Sequence, residues 1–348
     1  MGKIKVLICD DSAMVRKILT TELSKDKDIE ITGAVPDPYA ARDMIVQEKP
    51  DVLLLDVEMP RMDGVTFLQK LMKYYPVRVI IVSSLAEAES EVAVKAIEYG
   101  AVDVMCKPGS MYSVGDMSEQ LIYKIKAAAY VPESKFKMLA ENSAIKAKQN
   151  PISSSMIKTT NKVIAMGAST GGTEALKEVL ERLPANIPPI VVVQHMPQYF
   201  TKAFAQRLDS ICQIKVKEAD DMEILAPGKA LIAPGNKHIQ VVRSGAVYYA
   251  KLNDGPLLFH QRPSVENLFF SVAKYAGKNA VGVIMTGMGK DGAAGLLEMR
   301  KEGAYTIAQD EESCIVFGMP KEAIELGGVM KIASLKKIPD AIIEAVSK

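Results

Sequence analysis

Along residues 3–129, short apolar runs alternate with stretches whose apolar positions recur at helical spacing. The runs Lys5–Cys9, Ile29–Ala34, Val52–Leu55, Val77–Val82 and Val102–Met105 read as strands, and the stretches 13–24, 38–48, 64–74, 87–98 and 117–129 read as helices. Five strand–helix units imply a doubly wound parallel sheet, with any ligand at the carboxyl ends of its strands. A second alternation begins at Lys162. Strand-like runs at 163–166, 190–194, 214–217, 230–233, 239–242, 246–250, 281–286 and 304–308 are interleaved with helical patterns at 173–183, 199–209, 264–277, 292–302 and 320–327. This predicts another doubly wound α/β sheet, joined by an antiparallel hairpin of Ile239–Arg243 and Ala246–Lys251 around Ser244-Gly245. Between the two alternations, Pro132, Pro151, Ser153-Ser154-Ser155 and Thr159-Thr160 mark a linker. The expected organisation is a first domain at 1–130, a linker at 131–161 and a second domain at 162–348.

Composition narrows the classes without choosing one. With 48% hydrophobic and 24% charged residues, the 348-residue chain is an ordinary globular protein long enough for two domains. A formal net charge of +1 argues against a broad basic surface for nucleic acid. No apolar stretch reaches membrane-spanning length and no signal peptide precedes Ile4, so a cytoplasmic protein without membrane insertion is expected. Cys9, Cys106, Cys212 and Cys314 lack metal-site spacing and read as reduced packing thiols.

The strand ends of the first domain carry its chemistry. Asp10-Asp11 closes the first strand, Asp56 the third and Ser83 the fourth, and Lys107-Pro108 follows the fifth. One acid at a strand end is usually a cap or a solvated charge. Three on neighbouring strands repel one another and call for a hard, oxygen-coordinated cation such as Mg2+. A carboxylate beside such an ion can accept a phosphoryl group while a hydroxyl and an ammonium hold the phosphate oxygens. Together with Met59-Pro60 and Asp63-Gly64, these residues resemble the receiver domain of two-component response regulators. The resemblance implies phosphorylation on Asp56, Mg2+ held by Asp10, Asp11 and Asp56, a switch hydroxyl at Ser83 and a phosphate-sensing Lys107. It departs at Val104, three residues before the lysine, where receivers commonly carry Phe or Tyr.

In the second domain the run Val163–Met166 leads into Gly167-Ala168-Ser169-Thr170-Gly171-Gly172, a G-x-S-x-G turn between a strand and a helix. Such a turn suits a nucleophile, and equally a glycine-rich turn with a capping hydroxyl. It lacks the glycine order of a dinucleotide site, and the next strand ends in Gln194-His195 where that site needs an acid. A serine nucleophile needs a base, and of His195, His238 and His260 the first ends a strand on the same sheet edge. Asp291, behind Gly287-Met288-Gly289-Lys290, is a third member or a helix cap. Ser169, Asp254 and His260 form a rival set.

Gly167–Gly172, Gln194-His195-Met196-Pro197, Asn253-Asp254-Gly255-Pro256, Arg262-Pro263-Ser264-Val265 and Gly287–Gly292 together resemble the catalytic domain of chemotaxis protein-glutamate methylesterases. With a receiver in front, the resemblance covers essentially the whole chain. It implies a triad of Ser169, His195 and Asp291, oxyanion donors at the backbone of Thr170 and Met288, and no cofactor for the ester reaction. It further implies methyl-accepting chemotaxis receptors as substrate, glutamine deamidation, a chemotaxis histidine kinase as phosphodonor, and a receiver that restrains the esterase until phosphorylated. A transcriptional regulator would instead need a helix-turn-helix output module, which the strand-rich second half does not suggest.

Overall fold

The computed structural model describes residues 2–84, 87–107, 114–133, 135–136 and 161–347. The chain divides into two compact units, residues 1–147 and 148–348. Most of the expected linker, residues 137–160, lies outside the described residues, as does Pro108.

The first unit contains one parallel sheet of β1 (Ile4–Cys9), β2 (Ile29–Val35), β3 (Val52–Leu55), β4 (Arg78–Ser83) and β5 (Asp103–Cys106), in the order β2-β1-β3-β4-β5. Val6, Leu7, Ile8, Leu53, Leu55, Val79 and Ile80 are fully buried, which is why these strands read as continuous apolar runs. The order reverses between β1 and β3, opening a crevice at their carboxyl ends. Helices span Ala13–Leu23, Pro38–Glu48, Gly64–Tyr74, Glu87–Glu98 and Val114–Ala129.

The second unit repeats the plan on a larger scale. Seven strands run in the order β15-β14-β13-β6-β7-β10-β8, all neighbours parallel: β6 (Val163–Ala168), β7 (Ile190–Gln194), β8 (Lys215–Glu218), β10 (Lys229–Ile232), β13 (Ala280–Ile284), β14 (Tyr305–Gln309) and β15 (Lys331–Ala333). From β6 the chain passes to β7, on to the edge strand β8 and back to β10 between them, then crosses to β6's other side as β13. The reversal point is therefore β6, flanked by β7 and β13.

A separate antiparallel sheet, β11-β12-β9, holds β9 (Glu223–Ile224), β11 (His238–Ser244) and β12 (Val247–Asn253). Its hairpin turns one residue later than the sequence suggests: Ser244 pairs with Val247, leaving Gly245-Ala246 as the turn. The helix Val265–Ala276 shares one core with β6, β13 and this hairpin, where Phe269, Leu268, Val272, Val163, Ile239 and Val241 are all buried. Val241 N donates to Ser271 Oγ at 2.9 Å, tying that helix to the hairpin. Two short strands, β9 and β15, were not anticipated, nor was the final helix Ile338–Ser347, although Ile338, Ala341, Ile342, Ala345 and Val346 form its buried stripe. No described helix is long and apolar enough to cross a membrane.

Candidate active site

Ser169, His195 and Asp291 sit at the carboxyl edge of the three central strands. Ser169 directly follows β6, His195 directly follows β7, and Asp291 follows β13 across residues 285–290. They are buried, at 3%, 2% and 2% exposure. His195 Nε2 lies 2.7 Å from Asp291 Oδ2.

The serine turn is built by hydrogen bonds that leave it little freedom. Ser169 N donates to Thr286 O at 2.9 Å, and Gly172 N donates to Ser169 O at 2.7 Å. Gln194 Nε2 donates to that same carbonyl at 2.9 Å, so the serine's backbone is held from β7 as well. Thr286 Oγ1 donates to Thr170 O at 3.0 Å. Gly287 fits because it has no side chain: a Cβ there would lie 2.7 Å from Ser169 Cβ and 2.4 Å from Met319 Sδ. The helix Gly172–Leu180 starts immediately behind the turn, as a nucleophile elbow requires.

Asp291 does not cap its own helix, Ala293–Lys301, whose N-cap is Gly292. It caps a different one. Its Oδ1 accepts from Ser264 Oγ at 2.7 Å and Glu266 N at 2.8 Å, and its Oδ2 accepts from Val265 N at 2.8 Å. These are the first residues of the helix Val265–Ala276 and its N-cap. Burial pushes the Asp291 carboxyl up, but His195, Glu266 N and Ser264 outweigh it and hold the group below the usual aspartate range. The acid is thus both a helix-capping group and the partner of the histidine.

The rival acid and base stand elsewhere. Asp254 is exposed and paired with Lys237 at 2.9 Å, and His260 is exposed at a loop tip. His238 is structural: its Nδ1 accepts from Ser264 N at 3.2 Å, its Nε2 lies 2.8 Å from Pro256 O, and burial lowers its pKa. Gln194 and Ser264 belonged to recognised motifs but had no role assigned from sequence. Ser264 was the more legible, a serine immediately ahead of a helical pattern.

In the first unit, Asp10, Asp11 and Asp56 place carboxylate oxygens within 4.8 Å of one another. Asp10 and Asp56 are buried and Asp11 is exposed. Lys107 Nζ bridges the buried pair, 2.7 Å from Asp56 and 3.0 Å from Asp10. Burial foremost, then the charge of Asp10, push the Asp56 carboxyl from 3.8 up to about 6 against the pull of Lys107. Burial would lower the Lys107 pKa, and the two aspartates raise it instead. Two buried carboxylates with one ammonium leave negative charge over, and the donors are all hard oxygens, so the cluster suits Mg2+. Gly64 sits so close that a Cβ would come 1.9 Å from Asp56 O. Ser83 ends β4 fully buried, and its carbonyl accepts from Lys107 N at 2.8 Å. Val104 is fully buried within β5.

Two family models match the chain. Residues 164–342 match the family model for the CheB methylesterase, and residues 6–116 match that for the response regulator receiver domain. The chain is 59% identical to the protein-glutamate methylesterase/protein-glutamine glutaminase 2 of Syntrophus aciditrophicus (strain SB), over 99% of this chain and 100% of that one. It is 50% identical to the protein-glutamate methylesterase/protein-glutamine glutaminase of Salmonella typhi, over 100% and 98%. Among solved structures it is similar to the CheB methylesterase catalytic domain of Thermotoga maritima, with 41% identity and a TM-score of 0.52 over 53% of this chain and 99% of that one.

Proposed function

The chain belongs to the protein-glutamate methylesterase family, and on that premise we propose that it hydrolyses glutamate γ-methyl esters on methyl-accepting chemotaxis receptors when its receiver domain is phosphorylated. The observation that carries the chemistry is the buried 2.7 Å pair of His195 Nε2 and Asp291 Oδ2, beside a serine held in a strand-to-helix elbow. With Nε2 engaged by the aspartate, Nδ1 is the ring nitrogen that takes the Ser169 proton as Oγ attacks the ester carbonyl. Asp291, kept ionised by its donors, offsets the imidazolium that forms. The oxyanion donors that the family resemblance implies are the backbone amides of Thr170, in the elbow, and Met288, in the glycine-flanked turn behind the third central strand. His195 then protonates the leaving methoxide, methanol departs, and water attacks the acyl-enzyme to release the glutamate side chain. With a glutamine substrate the same steps expel ammonia.

In the receiver, 1–130, Asp56 is the phosphoryl acceptor, and Ser83 and Lys107 hold the phosphoryl oxygens. Asp10, Asp11 and Asp56 would hold Mg2+, which supplies positive charge against the crowded oxygens. A chemotaxis histidine kinase is the phosphodonor, residues 131–161 link the receiver to the catalytic domain at 162–348, and the protein works in the cytoplasm. With no aromatic ring at Val104, Ser83 and Lys107 carry the signal.

Methanol release from methylated receptor, with and without a small phosphodonor and Mg2+, tests this reading. The wild type should release methanol faster with the phosphodonor, Asp56→Asn should keep only the basal rate, and Ser169→Ala should release none. A wild type that releases no methanol under either condition would overturn the proposal.

A further inference from the structure

Between β12 and the helix Val265–Ala276 the chain makes a second, smaller hairpin whose tip local energetics do not favour. Leu258 and Gln261 pair across it, with Leu258 N donating to Gln261 O at 3.1 Å and Gln261 N donating to Leu258 O at 2.8 Å. The two residues between them, Phe259 and His260, have φ of 51° and 61°. Two consecutive left-handed residues are what Asn-Gly normally supplies in such a turn, and here a Phe and a His adopt them. The same tip exposes apolar surface, with Leu257 and Phe259 each at 39%.

The base of this hairpin is anchored firmly. Arg262 donates through Nη1 to Gly255 O at 2.8 Å and Asp254 O at 3.2 Å, and through Nη2 and Nε to Asn236 Oδ1 at 2.6 and 3.1 Å. Gln261, 6% exposed, buries an Nε2 that has no hydrogen-bond partner. Two residues beyond the anchor, Ser264 donates to Asp291. From the other side, Lys290 Nζ lies 5.8 Å from the centre of the Phe259 ring, and Lys290 directly precedes Asp291. The tip is therefore continuous with both flanks of the catalytic aspartate.

We propose that the Leu257–Gln261 tip docks the receptor helix that presents the methylated glutamate. Leu257 and Phe259 meet the apolar positions of that amphipathic helix, and Lys290 meets carboxylates next to the reacting ester. At this strained tip Phe259 stays 39% exposed with Lys290 against its ring. A helix bearing several glutamates complements Lys290, whereas a small ester has no residues that reach the tip. The inference rests on the methylesterase reading above.

The test is a selectivity ratio: kcat/KM for methanol release from methylated receptor divided by kcat/KM for a small soluble ester. Phe259→Ala and Phe259→Gly should each lower the ratio about tenfold, and Lys290→Met should lower it and flatten its salt dependence. Phe259→Gly adopts φ near 50° without strain, so it should melt no lower than wild type, which separates docking from folding. An unchanged ratio would overturn the proposal, as would equal losses on both substrates, since the tip would then only support the site. If Ser169→Ala left small-ester hydrolysis intact, the triad would be at fault and not the tip.

Discussion

Asp56 and Asp291 are both almost fully buried, at 1% and 2% exposure, and both stand at the carboxyl edge of a parallel sheet where the strand order reverses. Yet one carboxyl is pushed up to about 6 and the other is held below the ordinary range. Depth of burial does not explain the difference. Asp291 meets four donors, two on each oxygen. Asp56 meets the Lys107 ammonium and a weak backbone contact from Glu58 at 3.4 Å, and it shares the lysine with Asp10. The count and sign of the partners decide whether a buried carboxyl stays charged. One edge is left short of positive charge, and the other is saturated with donors.

That contrast predicts opposite outcomes for the same substitution. Ser169→Ala and His195→Ala should remove activity by on the order of 10^4-fold or more while the fold survives. Asp291→Asn should cost less activity than either but destabilise the catalytic unit by about 3 kcal/mol, because an amide turns its NH2 group towards buried donors. Asp56→Asn, which relieves like-charge crowding, should leave the receiver at least as stable to urea as the wild type. Equal destabilisation by both asparagines would break the comparison, and a worse catalytic loss from Asp254→Asn than from Asp291→Asn would restore the rival triad.

A smaller effect is expected at Gln194, whose amide holds the Ser169 carbonyl. Gln194→Met removes the hydrogen bond at similar volume and should lower kcat roughly tenfold with KM little changed. A change in KM alone would mean that the residue shapes binding and not the elbow.

The smallest effect, and the one with the clearest sign, is the response to acid in metal-free protein. The folded pKa of His238 is lowered, so its contribution is present above the usual histidine value of about 6.5 and is lost as pH falls below it. The folded pKa of Asp56 is raised, so its contribution is present below 3.8 and is lost as pH rises through about 6. As pH falls from 6.5 to 4, hydrogen-exchange protection, taken relative to the intrinsic amide rate at each pH, should therefore fall in the catalytic core and rise in the receiver core. His238→Gln should flatten the first trend, and parallel trends in both units would contradict the pairing of signs.

Much of this could be read from the sequence because parallel strands are buried on both faces and end abruptly. Ser169, His195, Asp10, Asp56 and Ser83 all sit where an apolar run stops. Asp291 was ambiguous for a physical reason: its donors come from residues 264–266, and only the folded chain brings them to it. The hairpin turn shifted by one residue because Gly245 suits either turn position, with Ser244 before it or Ala246 after it, and the cross-strand pairing of Ser244 with Val247 left Gly245-Ala246 as the turn. β9 and β15 were missed because two and three residues carry no period.

The cap that Asp291 places on the helix Val265–Ala276 has a consequence for how variation at this position would look in a living cell. The carboxylate that steadies the histidine also begins a helix packed in the heart of its domain, so folding and reactivity cannot be inherited separately there. Alleles altering it should show lowered protein abundance together with lowered turnover, as quality control removes the unfolded fraction. Alleles of Ser169 should instead accumulate normally as inert protein, available to occupy receptors without demethylating them.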